Sequence, residues 1–187
     1  IKSDRLWIVT TSHPMKVPNL FIAGAPKCGT TALAVYLGEH PQVFMCPVKE
    51  PHYFADDFPA LRQDSGMDDY LALFSGADER HVAVAEASAN YLFSKTALSN
   101  IHRFNSDARI IVLLRNPVEQ AYSQHSQLLF GLYEDEPDFE AAWALQDERA
   151  RGRRIPRTCP CPEVLQYREM ASYSVQLDRL FGTFPRI

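Results

Sequence analysis

The sequence of 187 residues has no apolar run long enough to cross a lipid bilayer, and no signal-peptide core follows its first charged residues. It also has no excess of positive charge. Its formal net charge is -4, which argues against a protein whose main task is to coat nucleic acid. The four cysteines include no CxxC pair, and Cys159 and Cys161 are too close in sequence for an easy mutual disulfide. We therefore expect a reduced, cytoplasmic protein with no metal site and no membrane or nucleic-acid partner.

The composition does supply enough material for a hydrophobic core. Hydrophobic residues make up 46% of the chain and charged residues 22%, as in a folded globular domain. Because the first well-patterned strand follows Met15, we expect residues 1–14 to be an extension and residues 15–187 to form the domain. The last residues, 184–187, resemble the approach to another strand, so we expect the C-terminal part of this domain to lie beyond them.

Short apolar runs alternate with helical patterns along the chain. The clearest strand is 109–114, whose nearly continuous apolar sequence is typical of a central strand in a parallel sheet. Strands that alternate with helices predict an α/β fold, here a P-loop-like parallel sheet with helices on both faces. The other predicted strands are 20–24, 43–45 and 82–85, and the predicted helices are 30–38, 68–74, 96–104, one that starts at 117, 139–150 and 163–181.

Residues 24–31, Gly-Ala-Pro-Lys-Cys-Gly-Thr-Thr, join the first strand to the first helix. A glycine-bearing loop that enters a helix N-terminus directs several backbone N–H groups and the helix dipole at one point, which favours phosphate binding. The spacing imitates the P-loop of ATP- and GTP-using enzymes, but Thr30 stands where that motif needs lysine. The lysine of this loop is Lys27, which is placed to lie over a group attached to a 5′-phosphate; residues 24–31 are named the phosphate loop.

This loop resembles the 5′-phosphosulfate-binding loop of sulfotransferases, whose pattern is close to P-K-x-G-T-T. The resemblance implies 3′-phosphoadenosine 5′-phosphosulfate (PAPS) as donor, 3′-phosphoadenosine 5′-phosphate (PAP) as product and no metal. It implies a catalytic role for Lys27 at the bridging oxygen of the donor. The donor-binding residues that it implies in this loop are Ala25, Pro26, Lys27, Cys28, Gly29, Thr30 and Thr31.

A second segment, from Arg115 to Ser123, is similar to the family pattern R-x-P-x-x-R-A-x-S. The resemblance implies that Arg115 and Ser123 hold the 3′-phosphate of the donor, the arginine through a bidentate guanidinium. Gln120 stands where the pattern often has a second arginine, so phosphate affinity is either lower or compensated elsewhere. Asn116 is a good N-cap for the following helix, and Glu119 completes a capping-box pattern.

A third segment, 49–54, resembles the K-E-x-H-F-F segment of sulfotransferases related to the heparan sulfate enzymes and many bacterial relatives. The resemblance implies that Glu50 is the general base for the acceptor, while Lys49 and His52 shape the site. His52 is the rival base, because histidine is the commonest proton acceptor near neutral pH. Negative charge from the bound donor is expected to raise the pKa of Glu50 towards neutrality.

Three further segments bear on the acceptor and on packing. Residues 86–91 resemble a family segment in which the heparan sulfate enzymes tend to carry lysine where Ala87 stands, so a sulfated polysaccharide is not the favoured acceptor. We expect a small-molecule or carbohydrate acceptor with a hydroxyl or amine. The helix at 167–185 resembles a late family motif, and we expect its role to be packing. We expect the arginine-rich run 149–157 to be a solvated, mobile loop.

Two other functions remain open from the residues themselves. A nucleotide kinase or NTPase with an altered P-loop needs a lysine after Gly29 and an acidic Mg²⁺ ligand at a strand end, and the sequence shows neither clearly. The second alternative is a non-catalytic nucleotide-binding or scaffold domain.

Overall fold

The computed structural model describes residues 16–63 and 66–185. Within them, four strands form one sheet, in which all three neighbouring pairs are parallel and the order is β2-β3-β1-β4. This arrangement confirms the predicted α/β fold with a parallel sheet. The strands are β1 (Leu20–Gly24), β2 (Val43–Met45), β3 (Ala83–Ala87) and β4 (Arg109–Val112).

Helices connect and cover these strands, and none in the described part of the chain is long and apolar enough to cross a membrane. The two long helices predicted after residue 138 are each divided, the first near Leu145 and the second at Gln166 and Ser172. The α-helices are α1 (Thr30–Gly38), α2 (Met67–Ala72), α3 (Ala97–Phe104), α4 (Pro117–Phe130), α5 (Phe139–Ala144), α6 (Gln146–Ala150), α7 (Tyr167–Ala171) and α8 (Tyr173–Thr183), and short 3-10 helices lie at Pro59–Leu61, Ala89–Tyr91 and Pro162–Leu165.

Both faces of the sheet are buried, because successive side chains of β1 lie in hydrophobic clusters on opposite faces. Phe21 and Ala23 belong to the larger core, which also holds buried residues of α2, α3 and α4. Ile22 lies on the opposite face, in a small cluster with Ala34 of α1 and Ala87 of β3. The expected cover on both faces of the sheet is therefore present.

The position of β4 differs from the prediction. Among the described strands β4 lies at one edge, while β1 is paired on both sides and is buried at all five residues. The residues of β4 are exposed at Arg109 and half-buried beyond it. An apolar run indicates that the faces of a strand are covered, and it does not indicate whether both edges are hydrogen-bonded. The run 109–114 was therefore consistent with either position in the sheet.

Helix α4 begins as predicted and buries part of its apolar stripe, at Ala121, His125 and Leu128. Asn116 caps it, and its Oδ1 accepts hydrogen bonds from the backbone N–H groups of Val118 at 3.0 Å and Glu119 at 3.4 Å. Val118 and Tyr122, which the apolar pattern suggests as core residues, are 72% and 60% exposed. Gln120 is fully buried instead. Gln120 is buried on the side of α4 that contacts the phosphate loop, where its Nε2 donates to the carbonyl of Pro26.

The arginine-rich run is solvated only in part, which corrects the expectation for residues 149–157. Residues 151–154 and 157 are exposed, but the side chain of Arg149 has no exposed surface. Its guanidinium donates to both carboxylate oxygens of Glu134, at 2.6 and 2.5 Å, and to the carbonyl of Arg154 at 3.1 Å. The hydroxyl of Tyr167 also donates to Glu134, at 2.6 Å. This buried cluster holds α6 and α7 against the segment that follows α4.

Candidate active site

The four parallel strands end at one edge of the sheet, and the loop after each strand contributes to a single cleft of about 930 Å³ there. Ligands of open α/β sheets bind at this carboxyl edge. Residues from the three resembling segments meet in the cleft, although they are far apart in sequence. These residues are Pro26, Lys27, Gly29, Thr30, Thr31, Lys49, Glu50, His52, Arg115 and Ser123.

The phosphate loop has the backbone of an anion-binding turn. Gly29 is the N-cap of α1 with φ 89°, and Lys27 has φ 64°, so the chain turns twice through the left-handed region before the helix starts. Gly24, at the start of the loop, is packed so closely that a Cβ would lie 2.7 Å from Leu92 Cβ and 2.9 Å from the carbonyl oxygen of Ala89. Glycine is therefore required where the strand passes under the segment after β3.

Two residues of the predicted loop lie behind the cleft instead of lining it. Ala25 is fully buried, and its N–H donates to the carbonyl of Leu113 at 2.8 Å, which extends the pairing between β1 and β4. The thiol of Cys28 lies 3.6 Å from the hydroxyl of Tyr173 in α8. These contacts give Ala25 and Cys28 a place in supporting the loop, and their contact with a donor remains a prediction.

Lys27 extends from the loop to α4. Its Nζ donates to Oε1 of Gln127 at 3.0 Å. Gln127 lies one helical turn after Ser123 and also lines the cleft. The sequence motifs did not single out Gln127, although its spacing from Ser123 was a usable signal.

Arg115 lies at the end of β4 and is half-exposed beside the cleft. Its Nε donates to Oε2 of Glu119 at 2.8 Å, so Glu119 pairs with Arg115 and does not complete the predicted capping box. A guanidinium has five N–H donors, and this contact uses only the one on Nε. The geometry is thus compatible with a phosphate on the terminal nitrogens of Arg115.

Gln120 has a structural role that its position in the sequence pattern did not suggest. It is fully buried, and its Nε2 donates to the carbonyl of Pro26 at 3.2 Å. The contact ties α4, which carries Ser123, to the phosphate loop, which carries Lys27. Gln120 therefore fixes the phosphate loop and α4, which form two sides of the cleft, relative to each other.

Glu50 and His52 are adjacent in the cleft wall. Glu50 Oε1 pairs with the ammonium of Lys49, and Oε2 lies 3.4 Å from Nε2 of His52. The carboxylate side chain is 34% exposed, whereas the imidazole is only 5% exposed. Both Glu50 and His52 have positive φ, 61° and 54°, which is a strained conformation for residues with side chains.

The protein's own groups lower the pKa of Glu50. Burial tends to raise the pKa, but the hydrogen bonds from His52 and Lys49 and their charge outweigh it and lower the pKa to about 2. Glu50 is therefore ionised at neutral pH and able to accept a proton. The negative charge of a bound donor would act in the opposite sense and raise the pKa again.

Several cleft residues lie outside any motif recognised in the sequence, because they come from loops whose path depends on tertiary packing. Examples are Leu61, Gln63, Tyr133 and Val164. Within residues 16–63 and 66–185, no three His, Cys, Asp or Glu side chains are grouped as a metal site requires. That the reaction needs no metal stays a prediction.

The fold and this cleft define an α/β domain in which a glycine-bearing loop at a helix N-terminus faces a second set of polar groups from the neighbouring strand end. The chain belongs to the sulfotransferase family: residues 17–156 match the family model described as "Sulfotransferase domain". The resemblance drawn from the three sequence segments is confirmed at the level of the family.

Individual relatives agree with this assignment. The chain is 32% identical over 150 residues to human carbohydrate sulfotransferase 15, a match that covers 58% of this chain and 27% of that protein. It is 30% identical over 130 residues to human heparan sulfate glucosamine 3-O-sulfotransferase 3B1, covering 70% of this chain and 31% of the relative. A solved sulfotransferase from Alicyclobacillus acidocaldarius is 34% identical with a TM-score of 0.79, covering 91% of this chain and 70% of that one. The chain spans less than a third of the length of the two human relatives.

Proposed function

We propose that the protein transfers a sulfuryl group from PAPS to a hydroxyl or amine of a small-molecule or carbohydrate acceptor by in-line displacement. The observation that carries this proposal is the meeting of three groups in one cleft: the phosphate loop with Lys27, the pair Arg115 and Ser123, and the carboxylate of Glu50. A donor that carries phosphates at the 5′ and 3′ positions of its ribose would bind the phosphate loop with one and the pair Arg115 and Ser123 with the other. Its sulfuryl group would then lie near Glu50.

The residues present fit this donor. The loop from Pro26 to Thr31 and the N-terminus of α1 would hold the 5′-phosphosulfate, because N–H groups and the helix dipole both favour an anion there. Arg115 and Ser123 would hold the 3′-phosphate, with the terminal nitrogens of the guanidinium forming the ionic contacts. When the donor binds, the ammonium of Lys27 would either give up its hydrogen bond to Gln127 or keep it while it also contacts the donor. In both cases it would neutralise charge on the leaving phosphate.

In the reaction, the acceptor oxygen or nitrogen forms a bond to sulfur while the bond between sulfur and the bridging oxygen breaks. The electron pair of the broken bond stays on the 5′-phosphate of PAP, and Glu50 takes the proton of the acceptor. The products are the sulfated acceptor, PAP and one proton. Charge develops on the bridging oxygen during this step, so a preorganised cation at Lys27 lowers the barrier.

The geometry supports Glu50 over His52 as the base. The carboxylate is ionised and partly exposed to the cleft, whereas the imidazole is almost fully buried and its Nε2 faces Glu50. In this arrangement His52 orients the carboxylate of Glu50, and its hydrogen bond stabilises the charged form of that carboxylate. As the bound donor raises the pKa of Glu50, the carboxylate becomes a stronger proton acceptor when the substrate complex forms.

The acceptor class is drawn from the two relatives, a carbohydrate sulfotransferase and a heparan sulfate glucosamine 3-O-sulfotransferase. The cleft of this chain adds Tyr133 and Gln63 to the charged residues, and such side chains suit hydroxylated rings. A carbohydrate is thus a reasonable acceptor, with small phenols and alcohols as the alternative.

The test is transfer of radiolabelled sulfuryl groups from PAPS to a panel of oligosaccharides, amino sugars, phenols and alcohols, resolved by chromatography. Labelled product whose formation is abolished by Glu50→Gln supports the proposal. Transfer of the γ-phosphate of ATP instead would support a kinase. Tight PAP binding without transfer to any acceptor would support a non-catalytic domain, and either result would refute the proposal.

A further inference from the structure

Glu86 is a carboxylate with no exposed surface in the middle of the fold. It lies on β3 in register with Phe21 of β1, on the face that meets the larger core. Three hydroxyl groups donate to it: those of Tyr70 and Tyr91 to Oε1, at 2.8 and 2.9 Å, and that of Ser88 to Oε2, at 2.9 Å. In each of these contacts the hydroxyl is the donor and an oxygen of Glu86 is the acceptor, so all three hydroxyl hydrogens point at Glu86.

Two of these hydroxyls also contact the segment 50–54, which carries the candidate base. The oxygen of Ser88 accepts from the backbone N–H of His52 at 3.1 Å, and the oxygen of Tyr91 accepts from the N–H of Phe54 at 3.3 Å. A hydroxyl has one hydrogen, and here that hydrogen points at Glu86. Each oxygen therefore presents its lone pairs to the segment, as an acceptor for a backbone N–H must.

The segment 50–54 needs such support. Glu50 and His52 both adopt positive φ, which persists only where surrounding contacts hold it. The ring of Tyr91 adds to the contact, since it lies edge-on to the ring of His52 at 6.3 Å. Glu86 thus reaches the cleft through two hydroxyl groups, although it is too deep to touch a substrate.

We propose that Glu86 is a positioning residue, whose buried carboxylate orients the hydroxyls of Ser88 and Tyr91 so that they hold the backbone of His52 and Phe54 and keep Glu50 aimed into the cleft. The catalytic purpose of this device rests on the proposed function. The device itself, a buried carboxylate that fixes the conformation of residues 50–54, does not.

Tyr70 offers a matched control. Its hydroxyl donates to the same oxygen of Glu86, but within the described residues it makes no hydrogen bond to the segment 50–54, and its ring stacks on Tyr53 at 4.5 Å. Tyr70→Phe keeps the ring and removes one hydrogen bond from Glu86. Tyr91→Phe and Ser88→Ala remove a similar bond and, in addition, one acceptor from the segment.

The first experiment is hydrogen exchange on the full protein, with a peptide covering 50–54 compared with a peptide of α3 in the same sample. Ser88→Ala and Tyr91→Phe should each speed exchange in the 50–54 peptide about tenfold, as loss of one hydrogen bond implies, and leave α3 protected. Tyr70→Phe should leave both peptides as in the unchanged protein. Equal exchange at 50–54 in all three variants would overturn the proposal, whatever the activity.

The second experiment measures kcat, KM and PAP affinity for the same variants and for Glu86→Gln, with the acceptor found in the panel. A displaced base should lower kcat by about 10- to 100-fold while PAP affinity stays unchanged. Loss of kcat in Tyr70→Phe equal to that in Ser88→Ala would refute positioning and indicate general destabilisation. If the unchanged protein transfers no sulfuryl group, the proposed function fails. Hydrogen exchange of Glu86→Gln then decides alone whether Glu86 holds the segment, with faster exchange at 50–54 expected and exchange as in the unchanged protein refuting it.

Discussion

The buried pair of Glu134 and Arg149 gives a stability prediction that the structure makes quantitative. Both side chains have no exposed surface, and the guanidinium donates two hydrogen bonds to the carboxylate. Arg149→Met removes the cation and leaves the carboxylate with the hydroxyl of Tyr167 and two backbone N–H groups. Removal of one partner from a buried ion pair typically destabilises a protein by about 3–5 kcal/mol.

For a domain of this size, that loss corresponds to a decrease in Tm of about 6–20 °C. The matched control is Arg80→Met, because Arg80 also forms a bidentate pair, with Asp78, but its side chain is 80% exposed. An exposed pair contributes about 1 kcal/mol or less, so the control should unfold close to the temperature of the unchanged protein. The double variant Glu134→Gln with Arg149→Met should recover part of the loss, because no buried charge is left uncompensated.

The same pair predicts how the effect depends on pH. Burial tends to raise the pKa of Glu134, but the hydrogen bonds from Arg149 and Tyr167 outweigh it, and the folded pKa lies below the ordinary value of 4.5. The stabilisation is therefore complete above pH 4.5 and is lost as pH falls through the folded pKa. Calorimetry from neutral to acid pH should show the gap between the unchanged protein and Arg149→Met narrowing. A gap no larger than that of Arg80→Met at neutral pH would refute this reasoning.

Three predictions concern the reaction. Lys27→Ala should lower the rate of sulfuryl transfer by about 10²–10³, measured in single-turnover experiments, because it removes a preorganised cation at the leaving oxygen. Glu50→Gln should keep PAP affinity by calorimetry and lose most turnover, since an amide cannot accept the proton; normal turnover there with loss in His52→Gln would transfer the role to His52. EDTA should leave turnover unchanged, and a loss that Mg²⁺ specifically restores would contradict the metal-free mechanism.

Much of the fold and of the candidate site could be predicted because the signals are local. The strand β1, the glycine-bearing loop and helix α1 are consecutive in sequence, and the cap at Asn116 depends on its own side chain and the next three residues. Parallel strands then bring their carboxyl ends together without further information. For this reason Glu50 and Arg115, which lie 65 positions apart in the sequence, were expected in one site.

What could not be predicted depends on polar side chains that tertiary packing buries. Gln120 and Arg149 look like surface residues in any pattern of hydrophobicity, yet one is held by the carbonyl of Pro26 and the other by Glu134. A buried polar group is stable only with its partner, and partners distant in sequence leave no periodic signal. The same applies to Glu86, whose partners Tyr70 and Ser88 come from different elements.

The central claim is that one cleft holds a nucleotide by two separate phosphate sites, and the most direct test is thermal unfolding with PAP, AMP and ATP. A ligand at 100 times its Kd that binds only the folded protein adds about 2.7 kcal/mol of stability. PAP should raise Tm more than AMP or ATP, and Arg115→Ala with Ser123→Ala should remove the advantage of PAP over AMP. Equal increases with PAP and AMP in the unchanged protein would show that no 3′-phosphate site exists and would contradict the account.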